Sequence, residues 1–484
     1  MGSIAGLAVL VTRPVRAALR AGSPGLGIAV ALAAGACTGA GAGGGGDDDG
    51  PGPATGVTIG FGSAAATVWE GTGTWPIDVQ ASAAPASAII VDYVVTGTAT
   101  AAAGLTSGSL VIAAGQSSAR ILVPIGDDTA PEPPQTVQIA LVPPDGVSLG
   151  AIASATLTIV DNDDPRWPGD AAVATADAAG TFGKNLSGLA YQPATADQAA
   201  VLWAVKNDPS TLYRVVAAGA LWAPSPADGW AAGKALHYPG GGGSPDAEGV
   251  TRAEPESSAV YVSTERDNSV GGTSRLSVLR FDTQGTPAAL TATHEWNLTG
   301  DLPAVDPNLG LEAITWVPDS VLVAQGFVDA SVAAPYDPAR YSGHGTGLFL
   351  VGLEANGMIY AYALDHVAGG FHRIAAFASG HPAVMGLSFD RDTGYLWTAC
   401  DDTCEGELAV LAIETNPLSP DHGRFVRRRT SARPPGMANL NNEDIAIVPD
   451  TECSGGTKPM FWTDDSGTDG HALRVGLMPC GPAL

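Results

Sequence analysis

A two-strand unit recurs five times between residues 180 and 475, and no other feature limits the fold of this chain so strongly. Each unit opens with an apolar strand that has a glycine or an acidic residue near its start, and continues with a second strand ending in polar or acidic residues. The first is LSGLAYQP followed by VLWAVKNDP, ending at Asn207 and Asp208. The second is DAEGVTRA with AVYVSTERD, ending at Glu265 and Asp267. LGLEAITW with LFLVGLEANG (Glu354), VMGLSFDRDTG with YLWTACDD (Asp401, Asp402) and NNEDIAIVP with MFWTDDSG (Asp464, Asp465) complete the set. Unit starts lie roughly 57 to 74 residues apart, a spacing that suits propeller blades with loop insertions. The expectation is a ring of five blades, with long stretches such as 330–347 leaving room for a sixth.

In such a ring the innermost strand of each blade lines a central channel, so equivalent repeat positions converge on one axis. Glu248, Glu312 and Glu443 hold the same place in three repeats. Burying an unpaired carboxylate costs several kcal/mol, and three facing one another in a narrow channel cannot all stay ionised without a cation. Carboxylate oxygens favour a hard ion, so Ca2+ is expected rather than zinc or copper. Asn207, Glu265, Asp401 and Asp464, at the ends of the second strands, are candidates to complete the coordination or to line a pocket mouth. The competing reading makes the glutamates caps on neighbouring backbone N–H groups and the others ordinary turn residues.

Residues 57–165 form a separate alternating region. TVWEGTGTWPIDV, AIIVDYVVTG, GSLVIAAG, SARILVPIGDD, TVQIALVPP and ATLTIVDNDDP are apolar–polar runs separated by Gly, Pro and Asp turns, the pattern of a β-sandwich. With 63 glycines, 36 prolines and few amphipathic helical runs, the whole chain reads as all-β. Asp and Glu (49) outnumber Lys and Arg (23), for a formal net charge of -26, which excludes nucleic acid as an electrostatic partner.

The N-terminal region reads as an export signal. Arg13, Arg16 and Arg20 precede the apolar run GLGIAVALAAGA at 25–36, which is too short to span a bilayer as a mature helix, and Cys37 follows. The Gly- and Asp-rich stretch 38–56 reads as a flexible tether and 170–484 as the propeller module. Four further cysteines, Cys400, Cys404, Cys453 and Cys480, suit two disulfides in an oxidising compartment, with Cys400–Cys404 and Cys453–Cys480 as the expected pairs. No G-x-S-x-G, H-E-x-x-H or Walker motif is present, and the eight histidines occur singly, as in ATHEW (His294), GFHRI (His372) and SGHPA (His381).

Three resemblances add to this reading. LAAGAC at 32–37 resembles a bacterial lipobox, which implies lipidation of Cys37 and attachment to the membrane of the periplasm, the outer membrane or the cell surface; plain cleavage after Ala34-Gly35-Ala36 is the rival. Residues 57–165, with EGTG, IGDD and a terminal IVDNDDP, resemble a Calx-β domain, although Gly104-Leu105 stands where that family has Asp-Tyr. This implies calcium ligands at Glu70, Asp128, Glu132, Asp161 and Asp163. NLSGLAY, DAEGVT, LGLEAITW, MGLSFDRDTGYLW and NNEDIAI, in that order, resemble the SdiA-regulated family of exported propellers, related to NHL-repeat, phytase-like and esterase-like propellers, and imply a five-bladed ring with bound calcium. The function expected is a calcium-stiffened binding or scaffold module of the cell envelope with a protein or small-molecule ligand at the propeller face. The alternative is a calcium-dependent esterase, lactonase or phytase-like phosphoesterase.

Overall fold

The computed structural model of the 484-residue chain describes residues 56–99, 104–164, 166–169, 173–254, 258–433 and 437–481. The expected leader, Cys37 and nearly all of the tether lie outside the described residues. Among the described residues strands dominate, and the single α-helix is the short Asp319–Ala324. No described helix is long and apolar enough to cross a membrane.

The first module is a two-sheet sandwich. One sheet orders Ala65–Trp69, Ser154–Val160, Gln135–Val142, Ile89–Thr96 and Gly108–Ile112; the other orders Ser118–Ile125, Gly73–Ala81, Thr58–Phe61 and Ser148–Leu149. Strict alternation decides which side chains face inward. In Ser118–Ile125 the residues Ile121, Val123 and Ile125 are buried against Val91, Val137 and Ile139 of the facing sheet, while Leu122 points to solvent.

The second module has five blades, four of them four-stranded and antiparallel; the first is a six-stranded sheet that includes the parallel pair Lys234–His237 with Ala289–Thr291. Their inner strands are Leu186–Gln192 (blade 1), Pro245–Thr251 (blade 2), Leu311–Pro318 (blade 3), Gly386–Asp390 (blade 4) and Asn442–Ile447 (blade 5). Each inner strand packs beside the next, and the fifth packs beside the first, which closes the ring. The two ends of the module also meet within one sheet: Ala174–Thr175, from its start, pairs with Leu473–Pro479 at its end to complete blade 5. Five blades are present and the stretch 330–347 makes no sixth. It contributes to a two-residue hairpin, Val328–Asp329 with Ala334–Pro335, and a 3-10 turn, Pro338–Arg340. Phe327, Tyr336 and Tyr341 of this insertion pack into the core shared by blades 3 and 4.

Around the channel the backbones approach so closely that only small residues fit. A Cβ on Gly188 would stand 2.5 Å from the Glu248 carbonyl oxygen, and one on Gly249 would stand 2.8 Å from the Glu312 carbonyl oxygen. Gly386 meets Asp444 in the same way, at 2.8 Å. Hydroxyls bind the seams: Ser263 donates towards the Glu312 carbonyl (3.5 Å), and Thr463 donates to the Ser187 carbonyl (2.7 Å). Buried Asp444 accepts from the Leu189 N–H (2.8 Å) of blade 1 and the Leu387 N–H (3.2 Å) of blade 4, so one side chain ties three inner strands.

Sandwich and propeller share a buried seam. Trp69, Val160 and Trp167 join Tyr395, Trp397 and Trp462 in one apolar cluster, with Trp167 edge-on to Trp462 at 4.7 Å. The Trp167 indole N–H donates to the Gly406 carbonyl (3.0 Å), and the Asn416 amide donates to the carbonyls of Thr72 (3.3 Å) and Thr74 (3.0 Å). Both expected disulfides are in place, with Cα separations of 6.0 Å for Cys400–Cys404 and 6.2 Å for Cys453–Cys480.

If the small residues set ring closure, Gly249→Ala costs about 1–3 kcal/mol, the usual cost of overpacking a tight core. Gly271→Ala, where a Cβ meets nothing within 4 Å, is the control and leaves the urea midpoint unchanged. Equal midpoints for the two variants would contradict the assignment.

Candidate metal centre

The inner strands do not run straight into the channel. Strand register shifts between Leu186 and Gly188, between Ala247 and Val250, between Leu311 and Ala313, and between Asn442 and Ile445. Each shift marks a bulge or irregularity in the ladder, and such a break re-aims the side chain it contains. The re-aimed residues are Ser187, Glu248, Glu312 and Glu443. Blade 4 pairs regularly from Gly386 onward and has Met385 at the equivalent place.

These breaks bring the three glutamates to one mouth of the channel, where the ends of the second strands also arrive. Two triads form there, Asp246–Glu248–Glu265 and Glu265–Glu312–Glu354, each with carboxylate oxygens within 4.8 Å of one another. Oxygens held about 2.3–2.6 Å from one ion lie at most about 5 Å apart, so this spacing suits a shared calcium. Glu265 belongs to both triads, which makes it the pivot of the site. Glu443 faces the charges of Asp465, Asp401, Glu354 and Glu265. The Asn207 amide donates to Glu248 (3.3 Å).

Arg266 stands against this acidity beside Asp246, and Lys184 and Lys206 offset the charge of Asp465. Arg266 pairs with Asp246 at 2.7 Å and reaches Glu265 at 3.7 Å, while Asn268 donates to Asp246 at 2.8 Å. The Glu265 carboxylate also accepts from the Gly310 N–H. Among the described residues no cation forms an ion pair with Glu248, Glu312, Glu354 or Glu443. Burial, and then the facing carboxylates, hold Glu248, Glu312 and Glu443 well above the usual carboxylate range. Glu354 is pushed up to about 7 by burial and by the charges of Glu265 and Asp401. Burial also raises Asp246, Glu265 and Asp465. Several buried oxygens here have no hydrogen-bond partner: Asn207 Oδ1, Glu443 Oε2, Asn442 Oδ1 and Asp465 Oδ1. Unfilled acceptors beside surplus negative charge are what a cation site leaves when its donors are protein oxygens alone. The donor set therefore fits a hard divalent ion.

Two expected ligands have other roles. Asp464 is fully buried, but its carboxylate accepts from Arg474 (2.9 Å) and the Thr468 N–H (3.0 Å), so it holds a turn and does not join the cluster. Its neighbour Asp465 faces Glu443 instead. Asp401 caps the turn after it, accepting from the Thr403 N–H (3.0 Å), and contributes only its charge. Three members were missed as ligands. Glu354 and Asp465 stand where a second strand ends, and Asp246 lies two residues before Glu248, within the same irregular stretch of its strand.

The sandwich holds a second acidic group. Glu70, Asp161 and Asp163 offer oxygens within 4.8 Å of one another. Glu70 is pushed up to about 7 by burial, then by Asp128, Asp161, Asp163 and Asp127. Asp128 adds charge but accepts from the Ala130 N–H (2.7 Å), and the Glu132 carboxylate is taken by the Gln135 amide. The Glu132 N–H instead donates to Asp161 (3.2 Å). Asp163 Oδ2 has no hydrogen-bond partner.

Neither a family model nor a curated protein sequence matches the chain. Among solved structures, the apo form of the Calx CBD1 domain is similar at 27% identity over 22% of this chain and 98% of that domain, with a TM-score of 0.21. The calcium binding domain CBD12 of CALX1.1 is similar at 24% identity over 26% of this chain and 55% of that one, with a TM-score of 0.21. An oxidoreductase described as a glucose dehydrogenase, from Thermus thermophilus, is similar at 13% identity over 63% of this chain and 99% of that one, with a TM-score of 0.34.

The raised carboxylates give a signed pH dependence. Their folded pKa values exceed the unfolded ones, so the native state binds protons more tightly and is at its most stable below the unfolded value, near 4.5 for Glu354. That stability is lost as pH rises through the folded value near 7. Chelator-treated protein is expected to lose melting temperature between pH 4.5 and 7, a window in which calcium, which needs the ionised form, becomes steadily more stabilising. Melting curves across this range with EDTA and with calcium check the prediction.

Proposed function

We propose that the chain is an exported cell-envelope protein whose propeller binds calcium at the acidic channel mouth and serves as a binding or scaffold module. The observation that carries this reading is the convergence of Glu248, Glu265, Glu312, Glu354 and Glu443 on one mouth with a single arginine among them. Calcium would be held by Glu265, Glu312 and Glu354 with Glu248, Glu443 and Asn207 around them, and would supply the positive charge that these oxygens lack. The motif resemblance to SdiA-regulated propellers supports the same reading, and the lipobox resemblance at Cys37 supports attachment to a membrane. The sandwich group Glu70–Asp161–Asp163 is proposed as a second calcium site. It directly follows Trp69 and Val160, so an ion there would stiffen the seam with the propeller.

Hydrolysis at the channel ion would need a base or a group that orients substrate. The histidines make their contacts elsewhere, for example His344 with Asp319, His366 with Tyr261, His381 with Glu407 and His471 with Asp177. Binding without turnover is therefore the reading adopted. Calcium at about 100 times its dissociation constant raises stability by about 2.7 kcal/mol, several degrees in melting temperature. Glu265→Gln should remove most of that shift because it breaks both triads, whereas Asp464→Asn should keep it. Aryl esters, lactones and phosphate monoesters tested in parallel should show no calcium-dependent turnover. Turnover lost in Glu312→Gln would replace the scaffold reading with the hydrolase.

A further inference from the structure

A cleft of about 210 Å³ lies between the two modules, and among the described residues no inner-strand residue lines it. Its sandwich wall comes from the strand Ala65–Trp69. Alternation sends Val68 into the sandwich core and leaves Thr67 and Trp69 facing the propeller. Trp75, half-buried near the start of Gly73–Ala81, closes this side. Blade 4 supplies the opposite wall, where Tyr395 meets Trp69 with ring centroids 5.1 Å apart. Thr67 and Asp392 are exposed, so the cleft opens to solvent at their edge.

An ion pair forms the polar part of this wall. Glu414 and Arg428 stand 2.9 Å apart with side chains only 6% and 12% exposed. The second Glu414 oxygen accepts from the Asn416 N–H (2.7 Å), and the Asn416 amide in turn holds the Thr72 and Thr74 carbonyls of the sandwich. The seam between the modules therefore fixes the pair in place. Arg428 is not fully used, because its Nε is buried and has no hydrogen-bond partner. A buried donor left unpaired is costly, and an oxygen brought to it removes that cost. Thr393, Thr415 and Gln325 add two hydroxyls and an amide to the lining. Gln325 lies close over Gly394, where a Cβ would stand 2.5 Å from the amide nitrogen.

The charges of Glu414 and Arg428 cancel, and Asp392 is the remaining charged residue of the described lining. An anion would meet Asp392 with no surplus cation to hold it. Aromatic surface next to fixed hydrogen-bonding groups suits a neutral ligand that is apolar on one face and polar at its rim. We propose that this cleft binds a neutral sugar. One face of a pyranose ring presents C–H groups, and its rim carries hydroxyls that each donate and accept. The C–H face lies on Trp75, beside Trp69 and Tyr395, and takes both surfaces out of water. Rim hydroxyls donate to Glu414 and accept from Arg428, the charge-assisted and stronger kind of hydrogen bond. The cleft is smaller than the about 300–1,000 Å³ of pockets for drug-sized ligands, so it takes one ring, and a longer glycan continues past the exposed edge. The channel carboxylates play no part in this site, which stands apart from the calcium reading.

Saturation-transfer NMR and calorimetric titration of the full chain with the methyl glycosides of glucose, galactose, mannose and N-acetylglucosamine test the proposal. At least one should bind with a dissociation constant in the millimolar range or tighter, with the strongest saturation on ring C–H protons. Benzoate, an aromatic anion without hydroxyls, should not displace it. Trp75→Ala removes the platform, and Thr67→Phe fills the cleft from an exposed position. Each should weaken the sugar at least tenfold, and a cooperative melt followed by circular dichroism reports that each variant is folded. The proposal is overturned if none of the four glycosides binds at millimolar concentration, if benzoate displaces the bound sugar, or if a folded variant binds the sugar as tightly as the parent.

Discussion

Five strands that meet around one axis must bring their backbones into contact, and that requirement shapes both ends of the channel. Gly188, Gly249 and Gly386 allow the approach, with Glu248, Glu312 and Asp444 backbone atoms within 2.5–2.8 Å of where a Cβ would be. The register shifts beside these positions contain Glu248, Glu312 and Glu443, the glutamates that meet at one mouth. Asp444 then satisfies N–H groups of the strands on either side of its own. Ring closure and the acidic cluster thus have a common local cause.

The same strands lead away from the acidic mouth to a cavity whose lining mixes arginines with carboxylates. Arg252 follows directly on the strand that holds Glu248, and Arg391 follows the inner strand of blade 4. Between the two ends lies a packed apolar middle of Val250, Leu387 and Ile314. The concentration of carboxylates at the acidic end is unfavourable and calls for a counter-ion there. A divalent cation answers the carboxylates. The sandwich adds a second acidic group, next to a seam of tryptophans that holds the two modules together.

Much of this was legible in the sequence because propellers repeat. Repetition exposed the five blades and placed Glu248, Glu312 and Glu443 in one ring, and the alternation of SARILVPI and its neighbours exposed the sandwich. The second-strand ends were harder, because a doubled residue such as Asp464-Asp465 reaches two different environments one step apart. Which of the two faces the channel depends on where the strand stops, and no single-chain pattern marks that to one residue. Asp401 was obscured for a related reason, since an aspartate that caps a turn and one that binds a metal look alike in sequence.

A cation in the acidic mouth is the central claim, and anomalous diffraction from crystals of residues 57–484 grown with calcium measures its presence directly. A peak bounded by the carboxylates of Glu265, Glu312 and Glu354, with ligand distances of about 2.3–2.6 Å, is the predicted result. Diffraction that shows these carboxylates protonated and bonded to one another at saturating calcium, with no anomalous density between them, would contradict it.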